Sequence, residues 1–242
     1  MKLTQDQVHF FRTQGYFKLC DVVPSGARQE LVDVICDLAR QRLPPLRVDA
    51  VGNVLRLDQL IQRHAVVHAV ATTPALLDTL ESLLGPNIVL TLNRHNHVTF
   101  NSRSVTSFRL HRDVLQWSRG VVTAILYLED ATVENGCTYI IPGSHFLPFV
   151  GIPNNGGTWM DEHAEFRGLL EQAIPVPMPA WSALLFDSLI FHSVGVNNTS
   201  KTRISLCLGF HSVDELSGHL TDPKILLVRG SWIYKGNDAV SY

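Results

Sequence analysis

This 242-residue sequence has no strong excess of charge and no long apolar run. Its 20 basic residues are balanced by 22 acidic ones, which argues against a nucleic-acid partner. No stretch reaches the roughly 18 uninterrupted apolar residues that a membrane span needs. The amino-terminal MKLTQDQVHFFRTQG also has no apolar signal core. We therefore expect no nucleic-acid or membrane partner, and a cytoplasmic location.

Cysteine is scarce and its spacing carries no motif. The four cysteines, Cys20, Cys36, Cys137 and Cys207, form no C-x-x-C pair and show no zinc-type spacing. Reduced thiols are therefore expected, and no chemistry is assigned to them.

The composition is that of a folded protein. Hydrophobic residues make up 45% of the chain and charged residues 17%, and no repeat or low-complexity segment interrupts it. All-β proteins of this length often form one domain. We expect a single domain over residues 1–242, with helical support over about 1–86 and a β-rich core over about 87–242.

Helix signals dominate the front third. Thr4 and Gln7 form a capping-box pattern and Gly15 a stop, which predicts a helix over residues 5–14. A short YFKL strand should follow. Further helices are expected from Ser25 to the Pro44-Pro45 break, over about 58–71 and over 74–84.

Short apolar or alternating runs follow from residue 87 onward. They read IVLTL, VTSFRL, VVTAILYL, TYIIP, ALLF, LIFHSVGV, RISLCLGF and KILLV. Eight short strands separated by turn signals predict an antiparallel jelly roll, mainly β with bracing helices. The stretch from Pro142 to about Trp159 is expected to be a long loop, of a kind that often covers sites.

The most informative motif is His111-x-Asp113, followed 79 positions later by His192 and 11 further on by Arg203. Two histidines and one carboxylate can hold one face of a ferrous ion and leave the opposite face open. Residues two apart on a strand point to the same side, so His111 and Asp113 can reach one metal. Several metal ions fit this combination of ligand types and spacing.

Alternation within two predicted strands supports a polar site in the interior. Over 107–113 the histidine and the aspartate share a face with Arg109, and over 203–210 Arg203 shares a face with Ser205. Buried charge is costly unless it is paired or metal-bound, so a barrel interior that collects these groups predicts a binding site.

The sequence resembles the phytanoyl-CoA dioxygenase family of non-haem Fe(II), 2-oxoglutarate-dependent oxygenases. The resemblance rests on LHRDVLQW, ENGCTYIIPGSH, FHSVGVNN, the late Arg203-x-Ser205 and the opening LTQDQVHFFRTQGYFKL. It spans residues 3 to 212 with the motifs in order. It implies a double-stranded β-helix, a cupin-like jelly roll, and an enzyme that uses Fe(II), 2-oxoglutarate and O2.

The resemblance also implies roles for individual residues. His111, Asp113 and His192 would be the metal ligands and the catalytic centre. Arg203 would bind the distal carboxylate of 2-oxoglutarate, because its planar fork matches a carboxylate. Ser205 and Thr123 are further candidates for binding the co-substrate. Trp117 and Trp159 are candidates for contacting the substrate.

The reaction expected from the resemblance is hydroxylation of an unactivated C–H bond, with release of succinate and CO2. Desaturation, epoxidation and cyclisation use the same ligands and stay open, as do a non-catalytic metal sensor and a metalloenzyme without 2-oxoglutarate. Halogenating relatives lack the carboxylate ligand, so Asp113 argues against chlorination. A small molecule, often from secondary metabolism, is the expected substrate. A cluster of Arg103, Arg109, Arg112 and Arg119 would instead favour a CoA ester.

Other histidines are weaker metal candidates. His64 and His68 have zinc-type helical spacing without a third ligand. His95-x-His97, on an expected strand, is a competing pair without a carboxylate or a late arginine. His145 in the PGSH turn is expected to make a structural hydrogen bond.

Overall fold

The computed structural model describes residues 2–93, 95–103, 108–113, 120–147, 168–169, 171–215 and 224–232. Within these ranges the chain forms five α-helices, twelve β-strands and one short 3-10 helix. None of the helices in these ranges is both long enough and apolar enough to cross a membrane.

Helix α1, Gln5–Gln14, begins and ends as its capping signals predict. The Thr4 side chain accepts a hydrogen bond from the Gln7 backbone N–H at 3.3 Å, and Gln7 Oε1 accepts one from the Thr4 N–H at 2.9 Å. Gly15 ends the helix with a φ of 81°, a conformation that glycine adopts without steric cost. The YFKL strand, β1 (Tyr16–Leu19), follows directly.

The remaining helices are α2 (Ser25–Gln41), α3 (Leu60–Arg63), α4 (Ala65–Ala71) and α5 (Pro74–Leu84). Helices α2 and α5 confirm the predicted segments. The predicted helix over 58–71 is wrong in one respect, because it is divided at His64. This residue has extended backbone, and its Nδ1 accepts the Val66 N–H at 3.3 Å, so it caps α4.

Nine strands form a large antiparallel sheet. After β1 the strands in chain order are β2 (Leu46–Val48), β3 (Val54–Asp58), β4 (Ile88–Thr91), β5 (Asn96–Asn101), β6 (Val121–Tyr127), β7 (Thr138–Ile140), β8 (Ile174–Val176), β9 (Ala183–Asp187), β10 (His192–Val194), β11 (Arg203–Ser212) and β12 (Ile225–Arg229). The order in the large sheet is β1-β9-β6-β11-β5-β3-β2, with β4 on the far part of β11 and β12 on β4. Strand β11 is therefore central.

A second, smaller sheet has the order β10-β7-β8. His111 extends it by one residue, because the backbones of His111 and His192 exchange hydrogen bonds of 2.9 and 3.0 Å. The predicted strand over 107–113 is thus reduced to this one pairing in its described part, 108–113. The two sheets together make the predicted double-stranded β-helix, with antiparallel and unclosed sheets.

Three strands were not predicted, β2, β3 and β8, whereas the strand expected around His95 and His97 is β5. Strands β2 and β3 form a short, mostly half-exposed hairpin at the sheet edge, and their apolar alternation covers only a few residues in each strand. Strand β5 pairs with β11 over its whole length and so brings three polar side chains into the interior, His97, Thr99 and Asn101. The front third therefore adds strands to the sheet as well as helices. The division into one domain stays a prediction.

The two faces of β11 belong to different environments. Ile204, Leu206, Leu208 and Phe210 lie in the main apolar core, which also contains buried residues of the five helices. Cys207 faces the other way, into a smaller apolar cluster between the two sheets. This alternation is the one predicted for residues 203–210.

Candidate metal centre

The structure brings His111, Asp113 and His192 together at the mouth of the space between the sheets. One ligand atom from each residue lies within 4.8 Å of the other two. His192 Nε2 is 3.5 Å and His111 Nε2 is 3.8 Å from Asp113 Oδ1. His192 is held by β10, and His111 is held by its backbone pairing with His192. The backbone thus fixes the relative position of the two imidazoles.

Both imidazoles are oriented by their second nitrogen. His111 Nδ1 is 3.1 Å from the Arg109 carbonyl oxygen, and His192 Nδ1 is 3.1 Å from that of Ile190. A carbonyl only accepts, so each Nδ1 carries the hydrogen and each Nε2 keeps its lone pair. The lone pairs are on the atoms that approach Asp113, which is the arrangement that metal ligation requires.

The carboxylate of Asp113 is buried and well partnered. Its Oδ2 accepts a hydrogen bond from Thr123 Oγ1 at 2.8 Å, and Thr123 Oγ1 in turn contacts Ser188 Oγ at 2.8 Å. Its Oδ1 lies 3.1 Å from His95 Nε2. The Asp113 N–H donates to the Ser188 carbonyl at 2.9 Å. These contacts hold the carboxylate in one orientation.

The protonation states suit a divalent cation. Burial by itself would raise the pKa of Asp113, but His192, His95 and His111 hold it below its ordinary value. Burial lowers the pKa of His192 to about 4, against the opposing effect of Asp113. At neutral pH the site therefore offers an ionised carboxylate and a neutral imidazole, the forms that bind metals.

The three residues open onto a cavity of about 220 Å³. Its walls come from both sheets, and most of the lining residues are polar although apolar atoms supply more of the wall surface. The other lining residues are Arg56, His95, His97, Thr99, Thr123, Ile125, Thr138, Phe186, Val194, Arg203, Ser205 and Cys207. A possible metal position and a space for a small organic molecule are therefore adjacent.

Arg203 is a buried cation in this cavity. Only 2% of its surface is exposed, and its guanidinium lies over the Tyr127 ring at 5.2 Å. Its Nη2 donates to the Gly136 carbonyl at 3.1 Å, whereas Nε and Nη1 have no hydrogen-bond partner among the described residues. Burial lowers the pKa of Arg203. A buried guanidinium with two unpartnered donor nitrogens destabilises the fold unless an anion accepts hydrogen bonds from them.

Two hydroxyl groups lie on the same inner face. Ser205 is two residues after Arg203 on β11, and its Oγ is 2.9 Å from Thr99 Oγ1 of the neighbouring β5. Both residues line the cavity. The predicted placement of Ser205 beside Arg203 agrees with the structure, while Thr99 is a cavity residue that the sequence pattern did not reveal.

The other predicted site residues have different outcomes. Thr123 lines the cavity and its hydroxyl contacts Asp113 and Ser188, while its contact with the co-substrate stays a prediction. Trp117 and Trp159 lie outside the described residues, as does most of the predicted loop after Pro142. The buried Arg112 donates to the Ser144 and Leu147 carbonyls, a structural contact.

The His95-x-His97 pair was expected to be a weak competing metal pair. These residues line the cavity but, among the described residues, form no metal group of their own. His95 reaches Asp113 because it has a φ of 50° just before β5, a conformation that the sequence does not reveal. Burial, with the nearby Arg56 charge, lowers the pKa of His97 to about 3. His145 makes its expected structural contact, 2.9 Å to the Arg12 carbonyl.

Solved structures with the same fold are known. The non-haem alpha-ketoglutarate-dependent epimerase SnoN from nogalamycin biosynthesis superposes with a TM-score of 0.74 over 93% of this chain and 98% of its own, at 22% identity. EctD from S. alaskensis superposes with a TM-score of 0.73 over 88% of this chain and 78% of its own, at 19% identity. The chain therefore shares its fold with a non-haem alpha-ketoglutarate-dependent epimerase and with EctD.

The chain belongs to the phytanoyl-CoA dioxygenase family, whose model matches residues 11–205. It is 23% identical to the methylphosphonate hydroxylase of Gimesia maris over 222 residues, covering 88% of this chain and 82% of that protein. It is 22% identical to the peroxisomal phytanoyl-CoA dioxygenase of Homo sapiens over 236 residues, covering 88% and 69%. The predicted family is thus confirmed.

Proposed function

We propose that this protein is an Fe(II)- and 2-oxoglutarate-dependent oxygenase that hydroxylates an unactivated C–H bond of a small-molecule substrate. One oxygen atom of O2 would enter the substrate as a hydroxyl group. The other would enter succinate, as 2-oxoglutarate loses CO2. The observation that carries the proposal is the buried, incompletely partnered Arg203 in the same cavity as His111, Asp113 and His192.

The donor set fits a ferrous ion. Two imidazole nitrogens and one carboxylate oxygen are the facial ligand set of non-haem iron oxygenases, and both imidazoles present their lone pairs. In this proposal His111, Asp113 and His192 hold the metal. When bound, the metal supplies the activation of O2, chemistry that no side chain can perform.

The residues of the cavity also fit 2-oxoglutarate. Arg203 offers Nε and Nη1 to the distal carboxylate, and Ser205 Oγ can donate a third hydrogen bond. Thr123 keeps the Asp113 carboxylate oriented by donating to the oxygen that is farther from the histidines. Apolar Ile125, Phe186 and Val194 complete the walls and limit the entry of water.

The test is succinate formation by the purified protein supplied with Fe(II), 2-oxoglutarate and oxygen. Slow, substrate-independent formation is expected, and candidate substrates should accelerate it. Arg203→Met should raise the KM for 2-oxoglutarate, whereas His68→Ala, at an exposed position of α4, should leave it unchanged. Metal binding without any succinate would contradict the proposal and indicate a sensor. Mass spectrometry of the product separates hydroxylation (+O) from desaturation (−2H).

A further inference from the structure

A second polar cavity of about 320 Å³ lies beside the metal centre. It shares two lining residues with the metal cavity, Arg56 and His95. The others are Pro45, Arg47, Asp58, Gln59, Leu92, Asn93 and Asn96. His95, which contacts Asp113, therefore separates the two spaces, and Arg56 extends along both.

A row of polar side chains connects the second cavity with the co-substrate end of the sheet. In the strand register Arg47 is opposite Arg56, Arg56 is opposite Thr99, and Thr99 is opposite Ser205. Directly opposed residues in antiparallel strands point to the same face. The row thus runs on the inner face from the edge strand β2 to the central β11, where Arg203 lies two residues from Ser205.

Two arginines stand side by side at the outer end of this row. Like charges directly opposite each other destabilise a strand pair. Asp58 relieves part of this repulsion through 2.6 Å contacts with Arg56. It is the only acidic residue lining the second cavity among the described residues, so two guanidinium groups face one carboxylate. Arg47 is exposed to solvent in this cavity.

One neutral polar residue of the cavity, Asn96, is not available as a hydrogen-bond partner for the two arginines. The Asn96 side chain is occupied by Gln62 and by the Leu92 carbonyl, at 2.6 and 3.0 Å. The charge of Arg56 also reaches inward, since it helps to lower the pKa of His97. The cavity therefore has an excess of positive charge at its mouth and a metal centre at its inner end.

We propose that the second cavity binds an anionic group of the substrate, a carboxylate, phosphonate or sulfate, between Arg47 and Arg56. The inference rests on the proposed oxygenase function and names the substrate class of that site. Binding at the outer arginines positions the rest of the molecule past His95 toward the metal. A planar guanidinium matches the oxygens of these anions with paired hydrogen bonds.

Calorimetry with phenylphosphonate, benzoate and uncharged benzamide tests the proposal. The protein is loaded with Fe(II) and saturating 2-oxoglutarate without oxygen, so that Arg203 is already occupied. Phenylphosphonate or benzoate should bind, and Arg47→Gln should weaken that binding by about tenfold or more, the loss expected for a charge-assisted hydrogen bond. Arg56→Gln should do the same. The comparison of the two anions shows which group the site prefers.

The matched control is Arg40→Gln, an exposed arginine of α2 that lines neither cavity. It should bind the anions as the unchanged protein does. The proposal is overturned if benzamide binds as tightly as the anions, if neither anion binds, or if Arg47→Gln binds them with unchanged affinity. Failure of the oxygenase function appears elsewhere, as absent succinate formation. In that case the same titrations on metal-free protein still decide the anion site.

Discussion

The two faces of β11 carry buried residues of different kinds. On the outer face, Ile204, Leu206 and Leu208 are buried among apolar side chains and complete the main core. On the inner face, Arg203 and Ser205 are equally buried but line a polar cavity. One strand thus contributes stability with one set of alternate residues and a binding site with the other.

This difference shows that burial by itself does not identify the stabilising residues. Full burial of a leucine side chain stabilises the fold by about 1.5–3 kcal/mol, because its apolar surface leaves water. The buried Arg203 loses hydration that its contacts with Gly136 and Tyr127 replace only in part among the described residues. The inner face therefore lowers stability in the ligand-free protein and regains it when ligands bind.

Loss of a metal ligand should have the largest effect on function. His192→Ala removes one of the two oriented imidazoles, and iron affinity should fall by more than about 100-fold, the upper range for losing only an outer partner of a ligand. Iron binding by equilibrium dialysis and succinate formation measure this. A variant that keeps full iron affinity would contradict the proposed ligand set, and His68→Ala is the control.

Truncation on the outer face should have the largest effect on stability. Leu206→Ala should lower the free energy of unfolding by about 2–5 kcal/mol, because it leaves a cavity in the main core. Urea denaturation measures the change, with the adjacent inner residue as the matched variant. Ser205→Ala should change stability by less than about 1 kcal/mol and weaken 2-oxoglutarate binding instead. Equal destabilisation by both variants would contradict the conclusion that the outer face stabilises the fold and the inner face binds ligands.

Replacement of the buried cation should separate binding from stability. Arg203→Met keeps the side-chain length and removes the unsatisfied donors, so the ligand-free protein should be as stable as before or more stable. The affinity for 2-oxoglutarate should fall by at least about 100-fold, since two charge-assisted hydrogen bonds are lost. Thermal unfolding with and without 2-oxoglutarate measures both effects. A strongly destabilised ligand-free variant would show that Arg203 is structural.

Removal of the Thr123 hydroxyl should have an intermediate effect. Thr123→Val has nearly the same shape but no donor for Asp113 Oδ2, so iron affinity should fall by about 10- to 100-fold. The KM for 2-oxoglutarate at saturating iron should stay unchanged. A raised KM with unchanged iron affinity would instead favour the co-substrate contact that the sequence suggested.

Acid sensitivity of the metal-free protein should show the smallest effect. The pKa of His97 is about 3 when folded and about 6.5 when unfolded, so the unfolded chain binds more protons between these values. Stability should therefore fall as the pH drops from about 6.5 toward 4. His192 contributes in the same direction, and the lowered pKa of Asp113 adds a further loss below about pH 4. The free energy of unfolding of His97→Gln, measured by urea denaturation, should decrease less steeply as the pH drops. An identical pH dependence would contradict the lowered pKa of His97.

Local sequence signals predicted the elements whose boundaries depend on local chemistry. The capping-box pattern at Thr4, the stop signal of Gly15 and the alternation over 203–210 predicted α1 and β11 correctly. Strands β2, β3 and β8 were missed, because each has only three to five residues and depends on pairing with neighbouring strands. The break at His64 was missed for a similar reason, since a capping histidine has no distinctive pattern.

The sequence by itself determined the family, the His111, Asp113 and His192 set, and the placement of Arg203 and Ser205 on one strand face, because motif order and strand alternation are readable along the chain. Only the tertiary structure decided that His95 reaches Asp113, that Thr123 orients its carboxylate and that Arg47 and Arg56 stand together beside the metal centre. These contacts join residues whose positions depend on strand register and on one left-handed backbone angle. Such long-range geometry is set by the packing of the whole sheet and not by any local pattern.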